Sequence, residues 1–320
     1  MGPVVVDVAG AQMGGAARYA AELREYLVRT GRQDVRLVGI GCGVGTAWLI
    51  RRELASSGAR RRIALNNVSF VAPGGERWTL LRNALHFLTN AEAANLEPPL
   101  PASVRLKASV VRAAARRADA LVVPSTAMAE RVIRIMPGVR NRITVRPHPV
   151  SVGSATRGPR DRAILCPVLF APYKRMDQRL AELLSAVQEN GDGSVRVRVT
   201  ARPADLPLPF AADPKIEFLG RLDERSMRRV WASSRAIYFP TGLESFGYPL
   251  AEARVNGQPI IARDTAQNQE IAGPALCGFV PGEPDSLRRA LSLAMTTDVA
   301  PDPRPFDPDA YFDWILGRPQ

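Results

Sequence analysis

Two glutamates eight residues apart, Glu244 and Glu252, flank the turn Ser245-Phe246-Gly247-Tyr248-Pro249. The turn follows an apolar run, Ala236–Phe239, and the breaker Pro240-Thr241-Gly242. Pro249 suits the first turn of a helix. Glu244 therefore falls in a loop at the carboxyl end of a strand, and Glu252 one turn into the helix, on the side facing the same point. The amides of Gly247 and Tyr248 at that helix start, with the helix dipole, favour a phosphate. Acid groups beside them suit sugar and ribose hydroxyls. A bare pair of glutamates at this spacing reads as two solvated side chains, so the chemistry rests on the turn between them and on what the rest of the chain supplies.

Other side chains have two readings. Asn66-Asn67, just past an apolar run Ile63–Leu65, are placed either for acceptor or sugar hydroxyls or for a simple turn. His86 lies in the apolar stretch Leu80–Leu88 and reads as a satisfied half-buried histidine or as a titrating group. His148 stands between two prolines at a domain junction, hence at a cleft mouth. Asp307-Pro308-Asp309 matches a metal-binding D-x-D, but Asp309 fits better as the N-cap of a last helix, and no metal is expected.

The elements that must position these residues alternate. Strand candidates are Val4–Val8, Val35–Ile40, Ile63–Leu65, Ala120–Val123 and Ile143–Val145, then Ala163–Leu169, Val195–Val199, Ile216–Leu219, Ala236–Phe239 and Pro259–Ala262. Helices fit between them: one opening at Gly14-Gly15, then Ala47–Ser56, Ala102–Arg117, Ala127–Met136, Asp177–Glu189, Asp223–Ser233 with Asp223 as N-cap, Pro249–Val255 and Pro284–Met295. The Gly- and Pro-marked stretch from Arg146 to Arg162 reads as an interdomain linker. The pattern predicts two doubly wound parallel-sheet α/β domains facing a cleft, residues 1–152 and 153–300. The proline-rich tail leads into an aromatic helix with Tyr311, Phe312, Trp314 and Ile315, and residues 301–320 are expected to pack back on the first domain.

With Phe-Gly-aromatic-Pro between its glutamates, the segment resembles the donor-site motif of glycosyltransferase family 4. Gly220, Pro259-Ile260-Ile261-Ala262, Glu270 behind Gln267-Asn268, and Ala171-Pro172-Tyr173-Lys174-Arg175 fall in that family's order and spacing. In the first half, Gly14-Gly15-Ala16-Ala17-Arg18 looks like its glycine-rich first loop, and Ala118-Asp119-Ala120 through Pro124-Ser125 like its last N-domain strand. The resemblance spans Val4–Met295. It implies the GT-B fold of two Rossmann-like domains, an acceptor-binding first and a donor-binding second. It also implies transfer of a hexose from a nucleotide-diphosphate sugar to an acceptor hydroxyl, with retention and without a metal or other cofactor.

Departure of a nucleoside diphosphate then needs cations for the charge growing on phosphate oxygens. Lys174, one of three lysines with Lys107 and Lys215, supplies a compact point charge just past a strand. Carried over by position, Glu244, with Ser245, Phe246, Gly247 and Tyr248, meets the donor sugar and phosphates, and Glu252 the ribose. Arg221 and Leu222 meet the base through backbone, and Gly14 and Gly15 let the chain approach closely. Lys174, Glu244 and His86, the last in the role of the family's histidine near the reacting sugar carbon, form the catalytic set. Asn66, Asn67 and Arg18 face the acceptor. The family's arginine five residues before the lysine is replaced here by Leu169, so either Arg175 or Arg18 supplies the second cation or phosphate binding is weaker than the family's. A sugar-nucleotide-binding subunit without turnover is the alternative.

Composition narrows the partners. Of 320 residues, 43 are Lys or Arg and 31 Asp or Glu, for a net charge of +12. Residues 1–152 hold 22 Lys and Arg against 10 Asp and Glu, the remainder 21 against 21. An acidic acceptor, whether a sugar, a lipid-linked glycan or a small glycan, fits that asymmetry. So does peripheral contact with an anionic membrane face, through Arg51-Arg52 and Arg60-Arg61-Arg62. Arginines scattered on a solvated face fit it equally. No motif for docking nucleic acid accompanies the charge. Cys42, Cys166 and Cys277 are far apart and read as small buried hydrophobes in a reducing compartment. With no apolar run long enough to span a bilayer and no signal-like start, the sequence predicts a cytoplasmic protein, at most peripheral at the inner membrane face.

Overall fold

The computed structural model describes residues 2–152, 160–167, 174–191, 193–206 and 210–317. Leu169 and Ala171-Pro172-Tyr173 lie outside the described residues, as do residues 153–159 of the expected linker. The chain divides into two units. One is residues 1–151 with 243–248 and 304–320, the other residues 152–242 with 249–303.

The first unit is built on strands β1 (Val4–Asp7), β2 (Val35–Val38), β3 (Arg61–Ala64), β4 (Glu76–Leu80), β5 (Ala120–Val123) and β6 (Ile143–Val145). They form one sheet, β2-β1-β3-β4-β5-β6, with every pairing parallel. Its helices are α1 (Gly14–Thr30), α2 (Thr46–Ala55), α3 (Asn90–Ala94), α4 (Ala102–Ala115) and α5 (Thr126–Ile135). Strands covered on both faces are apolar throughout. All four residues of β1 are buried, Asp7 included, and the register sets Asp7 opposite Val38 and Ala64 at the carboxyl edge.

The second unit carries β7 (Asp161–Cys166), α6 (Met176–Glu189), β8 (Arg196–Val199), β9 (Ile216–Phe218), α7 (Glu224–Ser233), β10 (Ser234–Phe239), α8 (Tyr248–Val255, whose first residue counts with the first unit), β11 (Ile260–Arg263), α9 (Ala266–Ala272), β12 (Leu276–Phe279) and α10 (Pro284–Thr296). Its sheet runs β12-β11-β10-β7-β8-β9, again all parallel. Asp223 caps α7, accepting from the Ser226 amide at 2.7 Å. The core is aliphatic, with Leu180, Leu183 and Leu184 of α6 and Leu287, Ala290 and Leu291 of α10 packed on strand residues such as Ile164, Val197 and Ile261. Burial pushes the Cys166 thiol up to about 12 and that of Cys277 up to about 11, while Cys42 is partly exposed.

Two strands had no counterpart in the sequence pattern. β4 reads Glu-Arg-Trp-Thr-Leu, and its charges are answered across the sheet: Glu76 pairs with Arg61 at 2.6 Å and Arg77 with Asp119 at 2.8 Å. β12, Leu-Cys-Gly-Phe, is short and holds a glycine whose Cβ would stand 3.0 Å from Asp264.

The tail helix α11 (Pro308–Leu316) lies against α1, with Phe312, Tyr311, Ile315 and Leu316 in one core with Val4, Tyr19, Leu23 and Tyr26. Phe312 is fully buried, its ring centroid 5.2 Å from Tyr26 and 5.6 Å from Tyr19. The cap of α11 is Asp307, which accepts from the Asp309 amide at 2.9 Å. The expected cap, Asp309, instead pairs with Arg29, because Pro308 takes the first helical position and moves the cap back to Asp307. Arginines hold the helix from outside: Arg146 donates to the Ala310 carbonyl and Arg61 to that of Ile315, each at 2.7 Å, and Arg32 donates to Gly317 at 2.9 Å.

The arginines expected at a membrane face are mostly engaged within the first unit. Arg52 and Arg62 are buried, Arg60 is paired with Asp34, and Arg61 holds Glu76 and the tail; of the five, only Arg51 is exposed. No helix among the described residues is long and apolar enough to cross a membrane.

Truncating Phe312 to Ala should cost about 3–5 kcal/mol of unfolding free energy, the usual cost for a buried phenylalanine. Urea unfolding followed by tryptophan fluorescence reads this, since Trp78 and Trp314 meet at 5.3 Å beneath the tail. An unchanged midpoint would mean that the tail is not integral to the first unit.

Candidate functional site

In each sheet the order reverses at one point, where loops part and ligands of doubly wound folds bind beyond the carboxyl ends of the strands. In the first unit the reversal lies between β1 and β3; in the second, between β7 and β10.

At the first reversal the Asp7 carboxylate is fully buried and accepts four hydrogen bonds: from the Ala9 amide at 3.0 Å, Trp48 Nε1 at 3.1 Å, Arg52 Nη1 at 2.8 Å and Asn66 Nδ2 at 2.7 Å. Arg52 Nη2 continues to the Ser69 carbonyl at 2.7 Å, and the guanidinium lies over Phe70. Asn67 sits at φ +68°, a conformation asparagine tolerates, and its Oδ1 accepts from the Arg82 amide at 2.5 Å. Both asparagine side chains make hydrogen bonds within the first unit.

The Ser245-Phe246-Gly247-Tyr248 segment is anchored within the first unit. Ser245 Oγ donates to the Arg82 carbonyl at 2.6 Å, and Ser125 Oγ to the Ser245 carbonyl at 2.9 Å. Gly247 has φ +79°, which a side chain would strain. Gly15 admits Tyr248: a Cβ there would stand 3.0 Å from Tyr248 Cδ2. Phe246 and Tyr248 close around His148, at 5.0 Å and 6.0 Å between centroids, with Tyr19 at 5.4 Å. His148 is therefore interior, not at a cleft mouth. Neither ring nitrogen has a hydrogen-bond partner, and burial, then the Arg82 charge, holds its pKa well below the usual value.

Arg82, which the sequence reading passed over, belongs to the same group. Its Cζ lies 5.3 Å from the Tyr19 ring centroid, and Nε and Nη1 are sealed from solvent without an acceptor. Burial lowers its pKa, and the groups acting against that are the phenols of Tyr248, Tyr19 and Tyr311. Enclosing a charge without its counter-ion costs several kcal/mol, of which a desolvated cation–π contact returns about 2 or more. In the sequence it is a lone arginine within an apolar stretch.

The remaining first-unit candidates separate. His86 is buried in a 3₁₀ turn capped by Asn83, its Nε2 3.4 Å from Asn83 Nδ2 and its Nδ1 unpartnered. Burial, then the charges of Lys107 and Arg112, lower its pKa to about 4. Gly14 opens α1 at φ +58°, a helix with no side-chain cap. Arg18 lies one turn in, and Glu244 is half-buried in the anchored segment.

In the second unit Lys174 is half-buried and Arg175 exposed. Arg175 is the N-cap of α6 and, though not glycine, adopts φ +46°. A side chain held in that region costs about 1–3 kcal/mol, and such strain collects at functional sites. Arg221 and Leu222 follow Gly220, itself at φ +64°, and Glu252 is half-buried in α8. Two arginines near these strand ends were missed. Arg263 ends β11, donating Nε to the Pro240 carbonyl at 2.8 Å, and a Cβ on Gly242 would reach 2.3 Å from its Nη1. Arg179, in the first turn of α6, pairs with Glu182 at 2.7 Å. Burial, then Arg179, lowers the Arg263 pKa. An arginine terminating Pro-Ile-Ile-Ala was the available signal. Among the described residues no group of three or more His, Cys, Asp or Glu could hold a metal ion.

No protein-family model matches this chain. No curated protein matches it by sequence. Solved structures do. WaaG, a glycosyltransferase involved in lipopolysaccharide biosynthesis, superposes with a TM-score of 0.67 at 15% identity, over 98% of this chain and 100% of its own. A trehalose-6-phosphate synthase studied for glycosyl transfer with retention gives 0.63 at 9% identity, over 98% of both chains. A UDP-forming α,α-trehalose-phosphate synthase from Burkholderia vietnamiensis gives 0.62 at 12%, over 99% of this chain and 97% of its own. The fold is GT-B. Two six-stranded parallel sheets with flanking helices are what these GT-B glycosyltransferases share with it.

The neutral state of His86 in the GT-B chain has a measurable consequence. Its folded pKa lies below the unfolded value of ~6.5, so between the two the unfolded chain binds more protons and stability falls as pH falls. From pH 7 to pH 4 the His86 contribution should drop by roughly 3 kcal/mol. Urea unfolding of wild type and His86→Gln across this range should show the variant losing that part of the slope. Parallel profiles would place the imidazole in solvent.

Proposed function

We propose that this protein is a retaining glycosyltransferase that moves a hexose from a nucleotide-diphosphate sugar to an acceptor hydroxyl, with no metal taking part. The observation that carries the reading is Lys174-Arg175 at the amino end of α6, in the loop that leaves β7 at the second unit's reversal point, with Arg175 in a strained backbone state. A helix start and two cations suit a pyrophosphate. The GT-B fold and the printed activities of WaaG and the trehalose-phosphate synthases support it.

The second unit binds the donor. Lys174 and Arg175 take up charge as the nucleoside diphosphate leaves, which lowers the barrier because the charge grows in the transition state. Arg263 and Arg179 add positive potential at the same strand ends and offset the leucine at position 169. Glu252 accepts from the ribose hydroxyls, Arg221 and Leu222 border the base, and Glu244 accepts from the sugar hydroxyls. Gly14, Gly15 and Gly247 give the backbone room for phosphate and sugar. The first unit receives the acceptor, with Arg18 beside it, and the enzyme works in the cytoplasm. Retention requires that the new bond form on the face the nucleotide leaves.

Thermal unfolding with UDP, GDP, TDP and ADP tests the donor reading. The cognate nucleotide at ~100 times its dissociation constant should stabilise by about 2.7 kcal/mol. With the matching sugar donor, Lys174→Ala and Glu244→Ala should each lower turnover at least a hundredfold, and NMR of the product should show the donor's anomeric configuration. Full turnover by Lys174→Ala would overturn the assignment.

A further inference from the structure

Ser125 stands two residues beyond β5, fully buried, and its one hydroxyl makes two bonds. As the N-cap of α5 it accepts from the Met128 amide at 3.2 Å, and it donates to the Ser245 carbonyl at 2.9 Å. A helix start asks its cap only for an acceptor. The proton of the hydroxyl is left over by that role, and it is spent on a segment 120 positions away.

The bond completes a set of restraints around one side chain. Residues 243–248 fold with the first unit. Leu243 packs against the cluster that includes Leu81, Phe87 and Val111. Ser245 is held twice, through its carbonyl by Ser125 and through its hydroxyl on the Arg82 carbonyl at 2.6 Å. Phe246 is buried against His148 and Phe306, at 5.0 Å and 6.0 Å between ring centroids. Glu244, half-buried, is the residue between these fixed neighbours. Its backbone cannot shift far without leaving the buried Ser125 hydroxyl or Ser245 carbonyl unpaired, which costs more than the bond adds when made. Precision of that kind matters at a reacting centre, where a displacement of about 1 Å can lower a rate about a hundredfold.

We infer that Ser125 is a positioning residue: through the Ser245 carbonyl it fixes the place of Glu244, and with it the hold on the donor sugar. The tether stands on the hydrogen bonds alone, whereas its part in transfer rests on the role proposed above for Glu244.

Steady-state transfer and hydrogen exchange of the full chain test both parts. Ser125→Ala and Ser125→Gly should each lower kcat about tenfold or more, while the dissociation constant of the nucleoside diphosphate alone stays within about twofold of wild type. Glycine is a tolerable N-cap, so the glycine variant serves if the alanine variant does not fold. Ser125→Thr keeps the hydroxyl and should hold kcat within about threefold of wild type. Thr89→Ala removes the cap of α3, where Thr89 accepts from the Glu92 amide at 3.1 Å, and should transfer sugar as wild type does. Exchange of the peptide 243–248 should quicken about tenfold in the two variants without the hydroxyl and not in Thr89→Ala. Wild-type kcat in the alanine and glycine variants, or unchanged exchange in that peptide, would remove Ser125 from the role. Quickened exchange in a protein that transfers sugar from no donor would leave the tether standing while the transferase reading failed.

Discussion

Asp7 and Arg52 carry opposite charges into a part of the molecule that water does not reach. Two ions removed from solvent cost several kcal/mol each, and their attraction repays this only when every remaining lone pair and proton finds a partner. The Asp7 carboxylate meets that condition with four donors from the residues after β1, from α2 and from the turn after β3, while Arg52 Nε is left without a partner. The pair therefore ties together the three segments that leave the sheet at its reversal point. From there a polar chain continues: Asn66 is neighbour to Asn67, Asn67 accepts from Arg82, Arg82 accepts from Ser245, and Ser245 accepts from Ser125. The Phe-Gly-Tyr turn is held at the end of that chain, so its geometry is inherited from a charge pair many residues away.

The same economy explains the arginine content. A guanidinium has five donors in a rigid fork, and the first unit uses them to finish carbonyls that no strand or helix completes. Arg112 serves the carbonyls of His86 and Leu88, Arg142 those of Arg116 and Ala118, and Arg32, Arg61 and Arg146 those of the tail. Net charge counts these residues as surface potential, but much of their charge is spent on internal contacts. The asymmetry between the halves of the chain is thus largely architectural.

The alternation of elements was legible because buried parallel strands and amphipathic helices differ in period. The apolar runs of β1, β5, β10 and β11 and the helical faces of α1, α6 and α10 could be read within a residue or two. β4 could not, since Glu76 and Arg77 look solvated until Arg61 and Asp119 are seen opposite them. Asn66, Asn67 and His148 illustrate the same gap at the site. Residue type and local spacing state what a side chain can do, whereas its partner, 59 positions away for the Asn66–Asp7 bond, decides which option is taken. Arg82 went unnoticed for the converse reason: its distinguishing property is a missing partner, and no window of sequence displays that.

Burial of polar groups therefore separates into two kinds here. Where the partners are complete, as around Asp7, the polar group specifies the fold, and removing one member strands the rest. Where they are incomplete, the fold carries a cost that it does not recover by itself. Native interiors leave few such groups, and sequences depart from local consistency mainly where function asks for it. Arg82 is held at both ends of its backbone by the satisfied network, yet its own charge is left uncompensated.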